Sequence, residues 1–252
     1  MPFPLIPSPN GDALAPYLRR RPNVALPAGC GFVLPDAGAT LVFRTGGQRE
    51  PMLALIGPKS RLRTLPRLDG ASASVQFKSG GAGRFFRNSM DTMTDTKVAL
   101  DELWGTEASV LLDRLMSART PADATALLHG ALLQRMSRSQ PSTIDRKIDW
   151  AVSRLARLDD QGTVAELARS VGLSDRHFRR TFTARVGLSP QQFGAVCRFR
   201  SAVNQAMRAS DETWATIAAA TGYTDQSHMS RAFVRMTGSP PGQLLRAIQT
   251  GA

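Results

Sequence analysis

Nine side chains towards the end of the sequence are of the types that hydrogen-bond to base-pair edges. They fall in two groups: Arg176, His177, Arg179, Arg180 and Thr183, then Gln226, Ser227, His228 and Arg231. An arginine fork matches the two acceptors of guanine, glutamine matches adenine, and hydroxyl groups serve either base. The same cations can also hold phosphates, which position a protein on a duplex without reading it. Arg176, Arg179, Arg180 and Thr183 recur at three and four residues, the spacing that puts side chains on one helix face. A solvated charged face has the same pattern, so the elements that carry these residues must decide between the two.

Each group follows the same short frame. Leu167, Ala168 and Val171, or Ile217, Ala218 and Thr221, form one face of a short helix. Gly172 or Gly222 then supplies the left-handed backbone of a tight turn. Ser174 or Thr224 can cap the next helix, with Asp175 or Asp225 at its positive end and Asp225 the better cap than reader. That helix buries Phe178 and Phe182, or Met229 and Phe233, at i and i+4. The frames form an internal repeat about 50 residues apart: Ala165–Ser174 aligns with Ala215–Thr224, and after a one-residue shift Phe178…Phe182…Gly187 aligns with Met229…Phe233…Gly238. Two copies are too few for a solenoid. They make two similar helix-turn-helix subdomains.

Between the copies, Ser189 and Pro190 start a helix as cap and first-turn residue. Phe193, Val196, Phe199, Val203 and Met207 keep helical spacing as far as Ser210-Asp211. About 20 residues give a rod of roughly 30 Å, close to the ~34 Å turn of B-DNA. Such a rod can hold two recognition helices at successive major grooves.

The first half has another texture. Residues 1–10 hold four prolines and should be an extended tail. From about 13 to 87, short runs such as Gly31–Leu34, Thr40–Phe43, Met52–Ile56 and Ser74–Phe77 are bounded by Gly and Pro, as an antiparallel β domain requires. After Gly105 the period becomes helical through Val110, Leu111, Leu115, Leu127, Leu128, Ala131 and Leu132, with Thr120 and Pro121 as a helix start. Ser137–Ser142 marks the hinge. The predicted fold class is α+β: a small β-rich domain with appended helices over 1–138, then an all-α DNA-binding domain over 142–252 whose two helix-turn-helix subdomains share a long linker helix.

Composition narrows the classes. Of 252 residues, 32 are basic and 20 acidic, for a net charge of +12. Four are lysine (Lys59, Lys78, Lys97, Lys147) and 28 arginine. No run reaches the ~18 apolar residues of a membrane helix, and the amino terminus lacks the layout of a signal peptide. Cys30 and Cys197 make no disulfide framework, and with His129, His177 and His228 as the histidines no metal or other cofactor is expected. These features indicate a cytoplasmic protein with no membrane partner.

Residues 146–250 resemble the DNA-binding domain of the AraC/XylS transcription regulators. The resemblance rests on Gly172-Leu-Ser-Asp-Arg-His-Phe178-Arg-Arg-Thr-Phe182 and Gly187-Leu-Ser-Pro190-Gln-Gln-Phe193. The second copy adds Gly222-Tyr-Thr-Asp-Gln-Ser-His-Met-Ser-Arg231-Ala-Phe233-Val-Arg235 and Thr237-Gly-Ser-Pro240. Met229 and Leu244 stand where that family has aromatics, which implies looser packing in the second subdomain. The first half is similar to a sensor-like domain found fused to such regulators, through Pro16–Arg19, Leu34-Pro35-Asp36, Leu41–Phe43, Gly57-Pro58, Phe77–Gly81 and Leu103–Gly105. That likeness names no ligand.

The resulting expectation is a sequence-specific transcription regulator that binds promoter or operator duplex DNA and is controlled through its first half. RNA polymerase, a small-molecule effector and a second copy of the chain are the other expected partners. The alternative is a DNA-binding module without an effector, controlled by a protein partner or by expression level. An enzyme with a DNA-targeting tail, such as an alkyl-acceptor repair protein, needs a reactive thiolate beside a base or metal. Cys30 lacks that setting, and no catalytic residues are legible. Trp104, Phe85 and Phe86 are expected in the core, and Arg198 and Arg200 on the linker helix solvated or contacting the DNA backbone. The helices near 107–137 either pack on the sheet or pair two subunits.

Overall fold

Alternation in the first half produces strands because one face must be covered and the other left wet. In the computed structural model, which describes residues 13–19, 31–46, 50–64, 71–86, 88–138, 140–157, 162–208 and 212–250, six strands form. They are β1 (Phe32–Val33), β2 (Thr40–Thr45), β3 (Met52–Ile56), β4 (Arg63–Thr64), β5 (Ala71–Gln76) and β6 (Lys97–Ala99). The expectations for residues 1–10, Cys30, Ser210 and Asp211 lie outside the described residues. Four strands make one antiparallel sheet in the order β5-β2-β3-β6. The register sets Leu41 opposite both Leu55 and Val75, and Phe43 opposite Leu53 and Ala73. This apolar grid is buried. β1 and β4 pair separately, Phe32 facing Thr64.

Three helices follow: α1 (Leu100–Trp104), α2 (Thr106–Met116) and α3 (Pro121–Ser137). The Thr120 hydroxyl accepts from Asp123 N at 3.1 Å, and the Asp123 carboxylate accepts from Thr120 N at 3.0 Å. This reciprocal cap and Pro121 start α3 as expected. α3 packs across β5. Phe77, Phe85, Phe86, Leu100, Trp104, Leu128 and Leu132 fill the core between them. After short 3-10 turns at Gly81–Arg84 and Met90–Met93, α-helix begins at Leu100, earlier than the change of period after Gly105 suggested, because α1 is too short to display a period.

The second half is α4 (Thr143–Leu155), α5 (Val164–Ser170), α6 (Asp175–Val186), α7 (Pro190–Arg208), α8 (Trp214–Ala220), α9 (Gln226–Thr237) and α10 (Pro241–Thr250). The repeat is visible in the backbone itself. Gly172 and Gly222 turn α5 into α6 and α8 into α9 at φ +65° and +77°, angles that a side chain would resist. α7 divides its apolar face between two clusters. Phe193 and Val196 join Leu167, Phe178, Phe182, Val186 and α4's Ile148. Phe199, Ala202 and Val203 join Ile217, Met229, Phe233, Leu244 and Ile248.

The amino-terminal half supplies part of both clusters. Phe32 and Leu34 are buried in the second, and Ala37 in the first. Leu62 N donates to Met236 O at 2.8 Å, and Thr94 Oγ1 donates to Gly187 O at 2.5 Å. Met229 and Leu244, the two departures from the aromatic pattern, are 0% and 2% exposed in a cluster that Phe32 completes.

Candidate nucleic-acid interface

α6 exists because Ser174 caps it, its hydroxyl accepting from His177 N at 3.3 Å, and because Phe178 and Phe182 anchor its inner face. The outward face carries Arg176, His177, Arg179 and Arg180, all exposed, and Thr183, half-buried. Arg179 Nε lies 2.8 Å from Asp175 Oδ2, one turn back. The Thr183 hydroxyl donates to Arg179 O at 2.7 Å.

In the second copy the cap is Asp225, whose carboxylate accepts from His228 N at 2.7 Å. Thr224, the first candidate by alignment with Ser174, is one residue outside. Its hydroxyl lies 3.4 Å from His228 Nδ1 instead. α9 therefore begins at Gln226, and its first residues are displaced by one relative to α6. Gln226, Ser227 and Arg231 are exposed, whereas His228 is half-buried with its ring edge-on to Tyr223 at 5.5 Å. All nine sequence-singled residues thus sit on the second helix of one copy or the other.

Four arginines behave differently from that set. Arg185, at the end of α6, is 9% exposed and bridges Asp145 at 3.0 Å and Asp149 at 3.2 Å on α4. Burial raises the carboxyl of Asp149 above its ordinary value despite this partner. Arg200 on α7 is 7% exposed, so the expectation of a solvated or backbone-contacting residue is corrected. It donates to Asp36 Oδ2 at 2.7 Å, and Arg19 holds the same carboxylate through two bonds of 2.6 and 2.8 Å. Burial works to raise Asp36, but the guanidiniums of Arg200 and Arg19 outweigh it and hold the carboxyl below its usual range. No local signal could reveal a pair 164 positions apart. Arg157 and Arg198 instead line a surface cleft of about 460 Å³ beside α6.

Cys197, on α7, is largely enclosed, and burial pushes its thiol up to about 12. A thiol in that range stays protonated and is a poor nucleophile. Trp104 stacks on Phe86 at 5.4 Å, and both lie in the core with Phe85 as expected. The guanidinium of Arg135 covers the Trp104 ring at 4.4 Å. Among the described residues, no helix is long and apolar enough to cross a membrane.

A family model described as a helix-turn-helix domain matches residues 167–247, which span both copies and α7. Residues 167–247 form a helix-turn-helix domain. An HTH-type transcriptional regulator of Mycobacterium tuberculosis is 33% identical to this chain over 84 residues, covering 33% of this chain and 32% of the relative. A Streptomyces lividans protein assigned to the AraC-like transcription regulators is 38% identical over 80 residues, 32% of this chain and 26% of that one. The chain thus spans about a third or less of the length of these curated relatives. Among solved structures, the DNA-binding domain of AdpA in complex with a target DNA is 26% identical and covers 44% of this chain and 96% of that one, with a TM-score of 0.36. ToxT of Vibrio cholerae is 11% identical over 91% of this chain and 93% of its own, with a TM-score of 0.43. The helix-turn-helix domain begins inside α5, so α4 and the residues Phe32, Leu34 and Ala37 that join its two clusters precede the matched region.

Proposed function

We propose that the chain is a sequence-specific DNA-binding transcription regulator of the AraC type, controlled through its first half. The observation that carries this reading is that α6 and α9 expose Arg, His, Gln and Ser faces while their inner faces fix them to opposite ends of α7. The 19 residues of α7 measure about 28 Å, near one turn of duplex DNA. Arg176, His177, Arg179, Arg180 and Thr183 then meet one major groove, and Gln226, Ser227, His228 and Arg231 the next. Control is supported by the contacts between Asp36 and Arg200, Thr94 and Gly187, and Leu62 and Met236, all of which join the first half to the DNA-binding half. RNA polymerase and a second copy of the chain complete the expected partners.

A second reading keeps the DNA-binding module and removes the small-molecule effector. It is favoured by the packed side chains of Phe77, Phe85, Phe86, Met90 and Met93, which occupy the interior of the first half. Selection of duplexes from a random library by the full chain, followed by footprinting, tests the function. The expected result is two protected blocks on one face of the duplex, about one helical turn apart. Failure to enrich any duplex at low salt overturns it. Thermal-shift screening of the full chain against metabolites separates the two modes of control, a dose-dependent rise favouring an effector.

A further inference from the structure

The cleft beside α6 is made where the end of α4, the first turns of α7 and the turn between α8 and α9 approach one another. Arg157, Arg179 and Arg198 line it with Gln191, Gly194 and Gly222, in a volume of about 460 Å³. Three guanidiniums share this space, and among the described residues no carboxylate lines it. Among the described residues, two acids on the adjoining helices α5 and α6 are already engaged. Glu166 accepts from Thr163 N at 2.7 Å, and Asp175 pairs with Arg179. Neither Arg157 nor Arg198 forms an ion pair with a described residue, and Arg198 Nε is buried without a hydrogen-bond acceptor. Like charges gathered in one cleft repel unless an anion joins them. The guanidinium fork fits phosphate oxygens in particular. The lining glycines Gly162, Gly194 and Gly222 leave room for a backbone to come close.

We propose that this cleft seats a backbone phosphate of duplex DNA, the one lying between the grooves met by α6 and α9, with Arg157 and Arg198 as its cationic ligands. The proposal rests on the DNA-binding reading above and adds a contact outside both recognition helices. Position selects the ligand. The cleft runs from Arg179 on α6 to Gly222 in the turn before α9, so a strand passing from one groove to the next crosses it. Gln191, on the first turn of α7, adds a neutral donor for the same oxygens.

The experiment uses the full chain and a duplex that it selects from a random library, with affinity measured against salt concentration. Arg157→Gln combined with Arg198→Gln is expected to weaken binding on all duplexes alike and to make the log–log salt slope shallower by about 0.9, one phosphate. Arg114→Gln, an exposed arginine on α2, is expected to leave the slope unchanged. Neutral methylphosphonates placed one at a time along each strand should weaken wild-type binding between the two footprints. They should cost the double variant nothing further there. Should the double variant fail to melt cooperatively, Arg157→Gln alone, at an exposed position, is read in the same way. A wild-type slope in a folded variant overturns the proposal while leaving the DNA-binding reading intact. Failure of the wild-type chain to select any duplex overturns both. A melting-temperature rise with inorganic phosphate that the double variant abolishes, beside an unchanged DNA slope, assigns the cleft to a free anion and overturns the proposal.

Discussion

Asp36 concentrates the most consequential residue-level chemistry outside the recognition helices. Its carboxylate takes bonds from Arg19, from Arg200 and from Gly38 N at 2.7 Å, so little of its accepting capacity is spare. Removing one member of a buried charge set leaves the others uncompensated, which costs more than the set itself contributes. Asp36→Asn is therefore expected to lower unfolding free energy by about 3 kcal/mol at pH 7, measured by urea denaturation. The sign with pH follows from the lowered carboxyl. A group depressed in the folded state stabilises above its ordinary value near 3.9 and loses that contribution as pH falls through the folded value. The gap between wild type and Asp36→Asn should narrow below about pH 4. A gap that stays constant to pH 2.5 contradicts this account.

At the scale of elements, the two helix-turn-helix copies differ in charge more than in shape. Residues 163–208 hold eight arginines against Glu166 and Asp175, while 209–252 hold three against Asp211, Glu212 and Asp225. The structure tempers that contrast, because Arg185 and Arg200 are buried in ion pairs and Arg179 is shared with Asp175. Arg176 and Arg180 remain on α6 without such a partner among the described residues. The first copy is still expected to supply most of the phosphate-dependent affinity. Arg176/Arg179/Arg180→Ala should flatten the salt slope by about 2 to 3, and Arg231→Ala by at most about 1. Equal losses from the two variants would show that the copies anchor equally. The offset between Ser174 and Asp225 as caps also shifts the first residues of α9 by one position. A direct transfer of base contacts from one copy to the other would therefore misassign them.

For the whole molecule, the apolar clusters ignore the order of the chain. Phe32 and Leu34 lie with Phe199, Phe233 and Ile248, more than 160 residues away. Cutting a buried phenylalanine back to alanine costs about 3 to 5 kcal/mol. Phe32→Ala, made in the full chain, is expected to loosen α8–α10 first, because its contacts lie in their cluster. Hydrogen exchange should then accelerate in α8–α10 while β2 and β3 keep their protection. Uniform acceleration across both halves would instead mean that the molecule opens as one unit. The first half thus packs on the helix that joins the two copies, with β1 in the cluster of its second half and Asp36 bonded to Arg200 near its middle.

Much of this was legible in one dimension. The repeat, the turn glycines, the caps at Thr120, Ser174 and Ser189 and the apolar faces of α5 to α9 depend on neighbours within a few residues, so type and spacing suffice to find them. β4 and β6 escaped because Arg63-Thr64 and Lys97-Val98-Ala99 form no apolar run of the kind that marks the equally short β1. Arg200, Asp36 and Phe32 escaped for another reason. Whether a guanidinium is solvated or buried depends on what lies opposite it, and those partners come from distant parts of the chain. The sequence alone determined that two helix-turn-helix units with these polar outer faces exist and how far apart one helix can hold them. Only the tertiary structure decided which arginines face outward and which are consumed by internal ion pairs, because charge is local to a residue but its solvation belongs to the packed whole.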